Sequence, residues 1–180
     1  MIRKIIISLF CVIFLSGCGL SQSVEDYSQS TPALDFKTFF TGPMTAHGIV
    51  QNRFTGEITR KFTADLTGTW EGNDGVLDEV FRFEDGEVWE RQWNIQNADG
   101  SSFTATAEDV NGQAVGQTAG AVAHWQYNMQ VPVGDTIRDM DMDDWMYLVD
   151  EDTIINRTDM KKFGITVARM TIVIRKENVE

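Results

Sequence analysis

The stretch Ile58-Thr59-Arg60-Lys61-Phe62-Thr63-Ala64-Asp65-Leu66-Thr67-Gly68 places Ile58, Phe62, Ala64, Leu66 and Gly68 in one phase, together with Arg60. Thr59, Lys61, Thr63, Asp65 and Thr67 occupy the other phase. Successive side chains of a strand point to opposite faces, so a period of two marks a half-buried β-strand rather than a helix. The same reading extends in both directions. Leu77–Phe83 runs through Glu84-Asp85-Gly86 into Glu87–Ile95, and an Asp-Gly pair between two β-runs is a hairpin signal. Asn97-Ala98-Asp99-Gly100 is a second such signal, ahead of Phe103–Ala107.

His124–Val131, Trp145–Val149, Thr153–Arg157 and Val167–Arg175 continue the series, and a strand-like stretch over 44–54 precedes it. Phe36–Phe40 and Thr158–Phe163 read as short helical turns. Eight or more antiparallel strands with tight turns predict a mainly β fold. The expected form is a single up-and-down barrel or strongly curved sheet, with a two-sheet sandwich as the alternative. The glycine-rich run Asp109–Gly120 reads as bends, bulges or the close approach of another group, or else as a loop over a barrel mouth.

The chain has 180 residues, with 15 Lys+Arg against 27 Asp+Glu, a formal net charge of −12. So acidic a chain repels nucleic acid phosphates and anionic lipid head groups, which excludes nucleic acid as a partner and leaves membrane attachment to a lipid anchor rather than a basic patch. At the N-terminus, Arg3 and Lys4 precede an apolar run from Ile5 to Leu15. That run is too short to cross a membrane, for which about 20 residues are needed, and has the layout of a secretory signal peptide. Leu15-Ser16-Gly17-Cys18 resembles the lipobox of bacterial lipoproteins. The resemblance implies removal of residues 1–17, acylation at Cys18 and attachment to a membrane. Gly19 stands where an Asp would retain such a protein at the inner membrane, which implies the periplasmic face of the outer membrane. Residues 18–30 read as the lipidated cysteine and a flexible tether, and 31–180 as one folded domain. Cys11 and Cys18 are the two cysteines, so the domain is expected to fold without disulfides.

Phe39–Phe54, Gly68-Thr69-Trp70-Glu71-Gly72, Leu77-Asp78-Glu79 and Asp143–Leu148 followed by Asn156-Arg157 resemble the DUF3833 family of proteobacterial lipoproteins, over residues 30–176. That resemblance implies a lipoprotein and no assigned catalytic residues. Members are often encoded near lipid-modifying enzymes. Gly68-Thr69-Trp70 also resembles the Gly-x-Trp of lipocalin-like barrels, in which the Trp closes one end beneath a late arginine; Arg169 or Arg175 is the implied partner. Gly-Thr-Trp-x-Gly is similar to haem-binding nitrobindins as well. Their late histidine ligand has no counterpart after His124, so no haem and no other cofactor is implied.

His47 and His124 are the two histidines, far apart in the chain, and no metal-ligand spacing accompanies them. His124, beside Trp125, reads as a structural or pocket-wall residue. Alternation puts Asp144, Met146 and Leu148 on one face and Asp143, Trp145 and Tyr147 on the other. Asp144 reads either as the polar anchor of an apolar pocket or as a partner of Arg53, Arg60 or Arg157. Asp78 and Glu79, being adjacent, point to opposite faces and do not form an acid–base pair. The expected function is binding of a lipid-like or fatty-acid ligand, with His47, Arg53, Asp144, Trp145, Tyr147 and Asn156 as candidate pocket residues. The alternatives are an enzyme acting on acyl chains, with His47 and Asp144 as acid–base groups, and a structural or assembly lipoprotein of the envelope. Nothing in the sequence points to a particular protein partner.

Overall fold

The structure, a computed structural model, describes residues 22–98 and 100–177. The expected signal peptide (1–17), Cys18, Gly19 and Asp99 lie outside the described residues. Ten strands follow one another as a meander: β1 (Gly42–Asn52), β2 (Ile58–Glu71), β3 (Asp74–Phe83), β4 (Val88–Gln96), β5 (Ser102–Thr106), β6 (Val110–Ala119), β7 (Val122–Val133), β8 (Thr136–Asp150), β9 (Thr153–Lys162) and β10 (Ile165–Lys176). Each pairs antiparallel with its neighbour in sequence. β1 pairs with β10, from Met44 opposite Lys176 to Asn52 opposite Ala168, and so closes an up-and-down barrel.

The alternation read from Ile58–Gly68 is the inside–outside alternation of β2, with Phe62, Ala64 and Leu66 buried. Two expectations change. Thr158–Phe163 is not helical but the end of β9: Thr158 and Met160 are buried between the half-buried Asp159 and Lys161, and the chain turns at Phe163-Gly164. The glycine-rich run is not a loop over a mouth, because most of it is strand β6.

Close approach, the other reading of that run, is what its glycines serve. Gly116 lies directly opposite Phe103, and a Cβ on it would sit 2.2 Å from the ring. Gly48 opposite Phe62 and Gly75 opposite Trp70 repeat the arrangement, at 2.2 and 2.3 Å. An aromatic ring laid over a cross-strand glycine lets the sheet curve inward without leaving a hole.

One end of the barrel is plugged. Asp35 caps the one-turn helix α1 (Phe36–Phe39) by accepting from the Thr38 amide at 2.8 Å. Phe36 then stacks on Phe103 at 4.2 Å and meets Trp70 and Trp125 edge-on. The Trp70 indole donates to the Phe40 carbonyl at 3.0 Å. Trp70 therefore helps to close an end, but without a late arginine: Arg169 and Arg175 lie in the outward phase of β10, and Arg169 pairs with Asp159.

Residues 22–30, expected to be part of a flexible tether, are fastened to the outer wall near this plugged end. Val24 is buried, Tyr27 packs against Trp145 and Tyr147, and Ser30 accepts from the Ala121 amide at 2.8 Å. The barrel closes on itself without any residue before Gln22, since every strand has a partner on both sides and the described core runs from Val24 to Ile174.

Gly116→Ala is expected to lower the free energy of unfolding by roughly 1–3 kcal/mol, because Phe103, pinned under Phe36, cannot yield to the methyl. Gly134→Asn, in open space at a φ of +57°, is expected to be nearly neutral. Urea denaturation of both variants checks this; equal midpoints would mean that the ring does not hold Gly116.

Candidate functional site

A ten-stranded barrel encloses more room than its own side chains fill, and a cavity of about 360 Å³ runs up from the plug. Its mouth is the end where the β1–β2, β3–β4, β5–β6, β7–β8 and β9–β10 hairpins turn. The lining is mainly aromatic and sulfur-rich. Phe62, Phe81, Trp93 and Trp125 contribute rings, and Met129, Met140, Met142, Met146, Met160 and Met170 contribute thioethers. Met44 is also buried in the barrel core, so every methionine after Met1 is inside the barrel.

Two polar groups break this apolar wall. The first is centred on Arg91, whose side chain is 14% exposed. Its guanidinium grips Asp109, with Nε and a terminal nitrogen donating to Oδ2 at 2.9 and 2.8 Å, and reaches Glu79 at 3.5 Å. The Trp93 indole also donates to Glu79, at 3.3 Å. Burial pushes the Glu79 carboxyl up to about 7, against the pull of Arg91. Burial works against the charge of Arg91 too, yet Glu79 and Asp109 outweigh it and hold the guanidinium more firmly protonated than usual. These side chains bridge a narrow seam, since β4 pairs with β5 only from Asn94 to Gln96.

Asp144, 4% exposed, is the centre of the second group. It accepts from the Asn156 amide and from the Tyr127 hydroxyl, the latter at 3.2 Å. Burial raises its pKa above the ordinary aspartate value, and hydrogen bonds led by that of Asn156 work the other way. Burial, and then the Asp144 charge, push the Tyr127 phenol well up, so Tyr127 stays a donor. The Trp125 indole nitrogen is buried in the same wall and faces the Asp144 carboxyl, outside regular hydrogen-bond geometry.

Of the residues expected in the pocket, Asp144 and Asn156 line this cavity. Asp144 meets neither Arg53, Arg60 nor Arg157; Arg60 is held by Asp85 and Glu87 at the mouth. The other candidates lie outside. His47 occupies the outward phase of β1 and is exposed, and Arg53 sits exposed on the β1–β2 turn. Trp145 and Tyr147 point outward beneath Tyr27. His47 and Asp144 are thus on opposite faces of the wall, and the acid–base pairing expected of them fails on geometry.

His124, on the outer face, stacks on Trp145 at 4.0 Å and contacts Asp143 at 2.7 Å. Burial raises the Asp143 pKa, but hydrogen bonds with Lys161 and His124 outweigh it and hold that carboxyl below its usual range. The opposed directions of Asp78 and Glu79 agree with alternation: Asp78 accepts from Gln92 on the outer surface, while Glu79 lines the cavity.

Glu79, Arg91 and Tyr127 were not among the candidates, although each carries a legible signal. Glu79 shares its phase with Leu77 and Phe81, Arg91 with Trp89 and Trp93, and Tyr127 with Trp125 and Met129. A charged or hydroxyl group in the apolar phase of a strand is the mark of an inward polar residue.

Glu79 binds its proton more tightly in the folded chain than in the unfolded one. Its contribution to stability is therefore whole below about pH 4.5 and is lost as pH rises through about 7. The stability difference between wild type and Glu79→Gln is expected to drift by up to about 3 kcal/mol, against the wild type, between those limits. Urea titrations across that range check it; a constant difference would show that Glu79 is not held protonated.

Comparison with protein-family models finds a match to the protein of unknown function family DUF3833 over residues 12–176. No curated protein matches the chain. The matched span takes in all ten strands and both polar groups of the cavity, and the chain belongs to the DUF3833 family.

Proposed function

We propose that this chain is an exported lipoprotein, acylated at Cys18, whose barrel binds one lipid-like ligand with a hydrogen-bond-donating polar group. The observation that carries the reading is the plugged, largely apolar cavity of about 360 Å³. That volume lies in the lower part of the roughly 300–1,000 Å³ range of small-molecule sites, which suits one acyl chain better than a two-chain phospholipid.

The polar groups favour donors over anions. Arg60 and Arg91 are the cations among the described residues lining the cavity, and each is already engaged by two carboxylates. A carboxylate or phosphate entering the barrel would therefore have to compete for an occupied partner. A hydroxyl, amide or amine would instead meet the Glu79 and Asp144 oxygens. Residues 1–18 support export and anchoring through their charged, apolar and lipobox segments, and Gly19 supports the periplasmic face of the outer membrane. With the chain fastened to the barrel from Gln22 onward, the proposed anchor would hold the plugged end beside the membrane.

Titration of the chain beginning at Gln22, followed by the fluorescence of Trp89, Trp93 and Trp125, is the test. Dodecanol and dodecylamine are expected to saturate at one per barrel, and dodecanoate to bind at least about tenfold more weakly, some 1.4 kcal/mol. Ala168→Trp, which fills the mouth, is expected to weaken all three. If none of them binds the wild type, the reading falls.

A further inference from the structure

The mouth of the barrel is not uniform. Two adjacent hairpins, β1–β2 and β9–β10, are tied together where the Arg53 amide donates to the Val167 carbonyl at 3.0 Å. Each presents a phenylalanine at its tip: Phe54 is 73% exposed and Phe163 90% exposed. Ile58 and Ile165 stand exposed just behind them. A large apolar side chain at a turn tip loses hydration with no partner in return, and this sector carries four.

Backbone conformation singles out Phe163. Its φ is +51° and that of Gly164 is +76°, so the two turn residues are both left-handed. Such turns take Asn-Gly by preference, and a bulky aromatic with positive φ is an outlier whose strain points to a use. Phe54 is held by different means. The Asn52 side chain accepts from the Phe54 and Thr55 amides at 2.9 and 3.1 Å, so that tip is preorganised.

Charge separates this sector from the rest of the rim. Arg53 precedes Phe54, and Lys162 precedes Phe163 with its ammonium 5.3 Å from the ring centre. Neither cation forms an ion pair among the described residues; Lys162 donates to the Asp139 backbone carbonyl. Glu57 is the acid of the β1–β2 turn, whereas the neighbouring β3–β4 and the opposite β5–β6 turns carry Glu84, Asp85, Glu87, Glu108 and Asp109, of which Glu84, Asp85, Glu87 and Asp109 are ion-paired with Lys61, Arg60 and Arg91. In a chain of net charge −12, apolar tips beside unpaired cations on one sector match a surface of apolar chains and phosphates. The acidic sector would be turned away from it. Val167 and Ala168, in the same hairpin as Phe163, line the cavity, so the tips lead directly into it.

We propose that the paired β1–β2 and β9–β10 hairpins dock the barrel mouth onto a second phospholipid bilayer, opposite the one that would hold the anchored, plugged end, with Phe54 and Phe163 entering the interface and Arg53 and Lys162 meeting lipid phosphates. This docking is separate from ligand binding and is read without any ligand. The test is flotation of the chain beginning at Gln22 with vesicles of mixed phosphatidylethanolamine and phosphatidylglycerol. Wild type is expected to float with the vesicles. Phe54→Ser combined with Phe163→Asn is expected to weaken binding about a hundredfold, roughly tenfold per ring.

Asn suits the left-handed position, so the double variant is expected to melt no lower than wild type, which removes misfolding as a cause. Val88→Ser, on the acidic sector, is expected to float as wild type does. Wild type left free of vesicles, or a double variant that binds them equally well, would overturn the proposal. So would a double variant that turns a dimer into a monomer while vesicles hold neither form, because the hairpins would then join two copies of this chain.

Discussion

The pairing of β1 with β10 is the constraint on which everything else rests. These strands lie at opposite ends of the domain, and their ladder turns an open meander into a ring without edges. Closure satisfies backbone groups that an edge strand would leave to pair with other chains. It also fixes what alternation means, since one phase of every strand must then face a single enclosed space. No disulfide assists, because the two cysteines fall within the first eighteen residues. Stability rests on the inward phase: rings over glycines, the α1 plug, and a methionine-rich upper wall.

Against that background the inward polar groups are costly. An ion pair taken out of water loses hydration that its own attraction only partly restores, and an apolar replacement of the same shape is often at least as stable. Arg91 with Glu79 and Asp109, and Asp144 with Asn156 and Tyr127, therefore need a reason beyond cohesion. The first group has a structural one in part, because it spans the seam where β4 has few ladder partners. The second spans no comparable gap. Asp144 sits in the middle of well-paired β8, with the buried Trp125 indole nitrogen facing it. A polar group kept in an apolar wall without a structural gap to span supports the proposed ligand binding.

Much of the barrel was legible from period two alone, because a closed β-fold writes inside and outside into neighbouring residues. Ile58–Gly68 is the clearest case. The reading failed where charge density hid the apolar phase: β8 begins nine residues before the Trp145–Val149 run, and there Met140 and Met142 are its inward apolar members among four aspartates. It failed again at Thr158–Phe163, where the inward phase is Thr158 and Met160 alone among Asp159, Lys161 and Lys162, and an inward Thr does not look apolar. Asp144 and Asn156 could be found because they interrupt an inward phase. His47 could not be placed, since Ala46 and Gly48 on either side are too small to announce a face. Trp145 and Tyr147 misled for a longer-range reason. They are large and partly covered, but the cover is the segment at 22–30, and no local pattern encodes what a distant segment lies upon.

The methionine lining sets a chemical condition on this barrel. Thioethers are flexible and polarisable, so a wall made of them adapts to ligands of differing shape. The same sulfur atoms are the part of the wall most readily oxidised. One oxygen added to Met140 or Met142 makes a polar, chiral sulfoxide that demands hydrogen bonds the surrounding rings cannot supply. An occupant would shield those sulfurs, whereas an empty barrel leaves them open to any small oxidant that enters the mouth. Sulfoxide content at these methionines would then record how long a barrel had stood empty, and its loss of affinity would be undone only by reduction.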